Sequence, residues 1–197
     1  MSYHLYHTDA FILGSESGGE ANRHFTLLTR ALGLVNASAQ GVRLLKSKLR
    51  YHLEDRACVE VTLVRGKSRW RIVGATKRMS LRNVFREHPE REALLVRFFA
   101  LLKRLIPEEE VHEVIFDSVG DAYACLLPEA ISSDTLFGVE CVLLLRTLRE
   151  LGYLADTPEL RPFLSSPYLT HELLSLLLPL REKAVAEINR SLRETHL

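Results

Sequence analysis

Cys58-Val59-Glu60-Val61-Thr62-Leu63-Val64, then Arg65-Gly66-Lys67-Ser68, then Arg69-Trp70-Arg71-Ile72-Val73-Gly74-Ala75-Thr76, is the stretch on which the fold depends. Val59, Val61 and Leu63 alternate with Glu60 and Thr62. A period of two places the apolar set on one face of a strand. The second run alternates as well, with Trp70 and Ile72 against Arg69 and Arg71. Between the runs, Gly66 supplies the backbone freedom of a tight hairpin. The spacing therefore predicts two paired strands over 58–64 and 69–76, with Trp70 packed in a core beside Ile72.

Upstream the same period recurs. Residues 6–14 are rich in aromatic and branched side chains and run into Ser15-Glu16-Ser17-Gly18-Gly19-Glu20, a turn-forming cluster. In 23–29, Phe25 and Leu27 oppose His24 and Thr26. In 34–40, Val35, Ala37 and Ala39 oppose Asn36, Ser38 and Gln40. Five short strands before residue 80 predict a small five-stranded β-barrel of the oligonucleotide-binding type.

Downstream the period changes to about 3.6. Ser80 is placed to cap a short helix. Pro89 suits a first helical position, and Leu94, Leu95, Phe98, Leu101, Leu102 and Leu105 follow at helical spacing. Glu108-Glu109-Glu110 reads as the acidic start of a helix reaching Leu126. Another helix opens at Ser133 and Asp134 and stops at Gly152. After a broken stretch over 157–168, Thr170 caps a last helix to about Arg193, which Pro179 kinks or breaks. The expected class is α+β: a nucleic-acid-binding barrel over 1–80, then an all-α helical domain over 81–197.

The near-neutral chain hides a division of charge. Of 197 residues, 26 are Lys or Arg and 25 Asp or Glu, giving +1. Residues 1–82 hold 14 basic and 6 acidic residues, a net +8, and 83–197 hold 12 and 19, a net −7. A basic strand half attracts a polyanion, and an acidic helical half does not. The basic residues also cluster. Arg43, Lys46, Lys48, Arg50 and Arg56 lie between the third and fourth strands, Arg65, Lys67, Arg69 and Arg71 on the last hairpin, and Lys77, Arg78 and Arg82 beyond it. Phosphates need such charges along a track, and bases need flat side chains to stack on. Tyr51, inside the first basic segment, is the better stacking candidate. The alternative is a solvated basic face with no ligand.

Other chemistry finds little to build on. No phosphate loop, nucleophile elbow, paired metal-binding histidines or paired carboxylates occur. His112 reads as a surface residue among glutamates. Cys58, Cys125 and Cys141 are far apart, which excludes a zinc ribbon and a disulfide scaffold and suits a reducing cytoplasm. Neither a metal nor a cofactor is expected, and the chain is expected not to be an enzyme. The apolar runs near 94–102 and 173–178 are too short for a membrane span. The start lacks the pattern of a secretory signal.

Several segments of the strand half resemble the RecO family of bacterial recombination mediators. They are Ala10-Phe11-Ile12-Leu13, Gly19-Glu20-Ala21-Asn22-Arg23, Leu27-Leu28-Thr29 with Gly33-Leu34, Ala39-Gln40-Gly41-Val42-Arg43, and Ser47-Lys48-Leu49-Arg50. Their order and spacing carry the resemblance over about residues 6–80. It adds Arg23 to the candidate nucleic-acid-binding residues. It implies a protein that binds single- and double-stranded DNA in DNA repair and recombination. Such a protein anneals complementary strands and helps load RecA, with RecR and single-strand-binding protein as partners, in a cytoplasmic, nucleoid-associated setting. There are departures. Family members usually carry Lys at the position of Gln40 and are longer, and many hold a four-cysteine zinc module that this chain lacks. A structural adaptor, whose barrel or helical half binds a protein, is the reading from a different class. An enzyme with a site assembled from distant residues is the third.

Overall fold

The computed structural model describes residues 4–67, 69–166 and 168–195. Ser68 of the expected hairpin turn and Pro167 of the broken stretch lie outside them. The chain divides into two compact units, Met1–Glu92 with Ile106–Val111, and Ala93–Leu105 with His112–Leu197.

The first unit holds β1 (Leu5–Ser17), β2 (Arg23–Thr29), β3 (Gly33–Ala39), β4 (Ala57–Arg65) and β5 (Trp70–Ser80). They form one sheet in the order β1-β2-β3-β5-β4, and β4 pairs back with β1, so the sheet closes as a barrel. Every pairing is antiparallel except β3 with β5, which is parallel. The hairpin β4–β5 stands where the alternation places it, but β5 runs on past the expected end at 76 to Ser80, whose side chain makes no cap hydrogen bond.

β1 runs past the expected end at residue 14. Its first half pairs with β4 and its second half with β2, and Ser15, Glu16 and Ser17 still find partners in Phe25, His24 and Arg23. The turn is thereby compressed into 18–22. A register shift between Ile12 and Gly14 bends β1 where it passes from one neighbour to the other, and β4–β5 has two more shifts. Such irregularities increase local twist, which closure of so few strands requires.

Ile12, Phe25, Leu27, Val35, Val61, Leu63, Trp70 and Ile72 fill the barrel, with Val42 and Leu53 inserted from the β3–β4 connection. Fully burying one such side chain is worth about 1.5–3 kcal/mol, so this interior fixes the register of all five strands.

Glu108-Glu109-Glu110 does not start a helix, contrary to the sequence expectation. The segment Ile106–Val111 returns to the barrel instead. Glu108 forms a parallel bridge with Leu34, and the Glu109 N–H donates to the Leu34 carbonyl at 2.8 Å. Glu109 takes a φ of 63° to do so, and Gly33 opposite has a φ of 69°. A Cβ on Gly33 would collide with the Glu110 backbone, so glycine lets the two chains approach.

The remaining helices are α1 (Leu81–Val84), α2 (Pro89–Leu105), α3 (Glu113–Leu126), α4 (Ser133–Glu150), α5 (Arg161–Ser165), α6 (His171–Leu177) and α7 (Arg181–Glu194). Ser132, one residue before the expected cap, accepts from the Thr135 N–H at 3.1 Å. Thr170 caps α6 through the Leu173 N–H at 3.2 Å. Gly152, with a φ of 79°, ends α4. Pro179 breaks the last helix, as expected, with the short 3-10 turn Leu178–Leu180 between α6 and α7. His112 is buried rather than on the surface, 3.7 Å from the Glu150 carboxylate.

Among the described residues, no helix is long and apolar enough to cross a membrane. None of their His, Cys, Asp and Glu side chains gather in threes where a metal ion would bind.

Candidate nucleic-acid interface

Pleating decides which side chains of β2, β3 and β5 face away from the core. Phe25 and Leu27 point inward on β2, so His24 and Thr26 point outward. Val35, Ala37 and Ala39 leave Asn36, Ser38 and Gln40 outside. Trp70 and Ile72 leave Arg71 outside, with Arg69 exposed just before the strand. Register aligns these residues in a row, for His24 pairs with Ser38 and Ser38 with Arg71. The outer face of β2-β3-β5 is thus polar and cationic at the end near the β1–β2 turn.

Among the described residues, neither arginine has a carboxylate partner. Arg71 Nη2 donates to Gln40 Oε1 at 2.8 Å, and Arg69 Nη1 lies 3.2 Å from His24 Nδ1. An amide and an imidazole orient a guanidinium and leave it free to meet a phosphate. Gln40 accepts from Arg71, which a lysine there cannot do. The β1–β2 turn backs this cluster. The His24 ring packs so closely on Gly18 that a Cβ there would lie 2.6 Å from Nε2. Arg43 Nη1 donates to the Gly19 carbonyl at 2.8 Å.

Past Arg43, the β3–β4 connection carries Lys46, Lys48 and Arg50, all exposed and with no hydrogen-bond or ion-pair partner among the described residues. The last two lie on the 3-10 turn Lys48–Tyr51, and Tyr51 itself is 66% exposed. Lys67, on the β4–β5 turn, is exposed and likewise has no such partner there.

Several of the residues singled out from sequence are compensated. Arg23 bonds to Ser15 and lies 3.3 Å from an Asp55 oxygen. Arg65 pairs with Glu109, and the same carboxylate accepts from Trp70 Nε1 at 3.1 Å. The Arg65 hydrogen bond holds the Glu109 carboxyl below its ordinary range, assisted by Trp70. On the β4–β5 side, Lys77 meets Glu54 at 2.7 Å and Arg78 pairs with Glu60. The hydrogen bond from Lys77 keeps Glu54 below its ordinary range. Among the described residues, uncompensated charge therefore gathers on the β2-β3-β5 face, the β3–β4 connection and the β4–β5 turn, not evenly around the barrel.

A cleft of about 690 Å³ opens elsewhere in the first unit, lined by Arg23, Arg56, Arg82 and Arg86 with Glu54, Asp55 and Glu92. Three carboxylates among four arginines make it a poor track for a polyanion.

Burial pushes the Cys58, Cys125 and Cys141 thiols up, Cys141 to about 12. The Cys125 thiol donates to the Leu169 carbonyl at 2.8 Å.

Sequence reasoning set His24 on the polar face but left it out of the site. Its signal is its register with Ser38 and Arg71, a long-range pairing absent from the local pattern. Glu109 was missed because its acidic run also looks like a helix start.

Glu109 sets a limit on the cationic face. Its change to Gln keeps an acceptor for Trp70 and frees the Arg65 charge. We expect E109Q to bind DNA more tightly and to steepen the slope of log affinity against log salt by about 0.7 on single strands, one phosphate contact. A salt titration of E109Q beside the wild type checks this, and an unchanged slope excludes Arg65 from the interface.

Residues 1–75 match the family model described as Recombination protein O N terminal. The chain is 36% identical over 113 residues to "DNA repair protein RecO" of two Dehalococcoides mccartyi strains, a match covering 57% of this chain and 44% of each relative. It is 42% identical over 64 residues to the protein of that name from Thermobifida fusca, covering 32% of this chain and 26% of that one. The match thus spans less than half the length of these relatives.

Proposed function

We infer, from the match of residues 1–75 to the family model and from the cationic face, that the chain is a RecO-family protein that binds DNA in repair by recombination. The observation that carries the reading is the placement of charge. Arg69, Arg71, Arg43, Lys46, Lys48 and Arg50 carry no carboxylate partner among the described residues, whereas Lys77 and Arg78 are paired with Glu54 and Glu60. The strand order with its parallel β3–β5 pair supports assignment to the oligonucleotide-binding type. In such barrels the strand 2–3 face and the β1–β2 and β4–β5 loops take up nucleic acid.

Contacts of this kind address phosphates, so binding is weakly selective for sequence and strongly dependent on salt. Annealing follows from the same chemistry, because two strands whose charge is neutralised approach each other without a catalytic group. We extend the proposal to help in RecA loading, with RecR and single-strand-binding protein as partners, in the cytoplasm. No metal, cofactor or covalent step enters.

Titration of the whole chain against single- and double-stranded oligonucleotides at several salt concentrations tests it. We expect binding that weakens linearly in log salt. No binding even at low salt removes the reading and favours an adaptor that meets a protein instead.

A further inference from the structure

The β3–β4 connection contains side chains that neither the fold nor phosphate binding requires. Leu45 is 83% exposed and Leu44 45%. The Ser47 N–H donates to the Leu44 carbonyl at 3.0 Å, closing a turn with Leu45 and Lys46 at its centre. Turn geometry favours Gly, Pro, Asn, Asp or Ser at such positions and gives no reason for leucine.

The turn stands on a fixed base. Val42 and Leu53 are buried in the barrel, and Leu49 packs against it. Gly41 N–H donates to Asn22 Oδ1 at 2.9 Å, and Arg43 N–H to the Ala21 carbonyl at 3.0 Å. The two leucines are therefore presented outward by an anchored loop.

Charge names the occupant. Residues 40–53 contain Arg43, Lys46, Lys48 and Arg50 and no Asp or Glu. An apolar tip ringed by such cations fits a polyanion that also offers apolar faces, which is nucleic acid. An anionic membrane surface fits less well. The segment is turns and a four-residue 3-10 helix, without the long apolar helix face that interfacial binding draws on. Leucine is among the side chains that proteins wedge between base steps.

We propose that the Leu44–Leu45 tip is a wedge that unstacks bases of bound DNA, with Tyr51 offering a ring to a displaced base. Lys46, Lys48 and Arg50 hold the flanking phosphates. The proposal rests on the DNA-binding reading and adds what the protein does to the strand.

The test uses the whole chain and its Leu44→Ser/Leu45→Ser variant. The probe is a single-stranded oligonucleotide with one 2-aminopurine between purines, whose fluorescence rises when it unstacks. Anisotropy of an end label reports affinity separately. Wild type is expected to raise the 2-aminopurine signal, and the variant to lose at least half of that rise at saturating DNA with its salt slope unchanged. Wild-type binding without a rise, or an equal rise in the variant, overturns the wedge and leaves DNA binding standing. Absence of DNA binding removes both. Vesicles rich in anionic phospholipid form the third arm. Binding to them that the variant loses, with the 2-aminopurine signal unchanged, overturns the wedge and assigns the tip to a membrane surface.

Discussion

Charge reversal of Lys46, Lys48 and Arg50 together, each to Glu, is expected to lower both the affinity for single-stranded DNA and its salt dependence. The three side chains are exposed and without partners among the described residues, so their replacement breaks no bond of the fold. Each phosphate contact contributes about 0.7 to the slope of log affinity against log salt on single strands, so losing three lowers it by about 2. Between 50 and 200 mM salt, that is about a 20-fold smaller change in affinity. The effect is expected to be the same on every sequence, because these residues are proposed to meet phosphates and not base edges. Titration of wild type and variant at several salt concentrations, with circular dichroism to verify the fold, measures it. Unchanged affinity and slope remove the β3–β4 connection from the interface and leave Arg69 and Arg71 to carry it.

The β4–β5 hairpin was legible because one face of each strand is buried, so that burial and sequence share a period of two. Helix ends were legible where a side chain caps its own helix, as Thr170 does, or where the backbone forbids continuation, as at Pro179. Features set by distant partners were not. The end of β1 depends on Ser15, Glu16 and Ser17 meeting β2, and these polar residues look like a turn. The parallel pairing of Ala37 with Trp70 and of Ser38 with Arg71 has no local signature. Glu108–Glu110 has the composition of a helix start, and a bridge to Leu34 outweighs it. The same distinction runs through the candidate site. Clusters of Lys and Arg are plain in the chain, but which of them stay without a counter-charge is decided by carboxylates elsewhere. Asp55 lies far from Arg23 in sequence, and Glu109 from Arg65, and each pairing takes a cation from the proposed interface.

Arg146→Met is expected to destabilise the helical unit by about 3–5 kcal/mol, whereas Asp121→Asn costs about 1 kcal/mol or less at pH 7. Arg146 is 4% exposed, within α4. Its Nε donates to the Phe163 carbonyl and its Nη2 to the Ser166 carbonyl, both at 2.9 Å, and Asp121 lies 3.6 Å from Nη1. Burial lowers the Arg146 pKa and raises that of Asp121, so desolvation outweighs the attraction between them. The stabilising role then belongs to the carbonyl bonds, which fasten α5 and its exit to α4. Methionine fills the space but leaves both carbonyls unpaired, at about 1–3 kcal/mol each. Asparagine at 121 removes a carboxylate that is held at a cost. The sign of the pH dependence follows. Between its unfolded value of 3.8 and its raised folded value, Asp121 binds more proton in the folded state. Its contribution to stability is therefore lost as pH rises from 3.8 through the folded value, and D121N lacks this decline. Urea unfolding of the full chain, followed by the helical signal across this range and at pH 7, measures both effects. Equal losses in the two variants would mean that the ion pair, rather than the carbonyl bonds, holds the helices together.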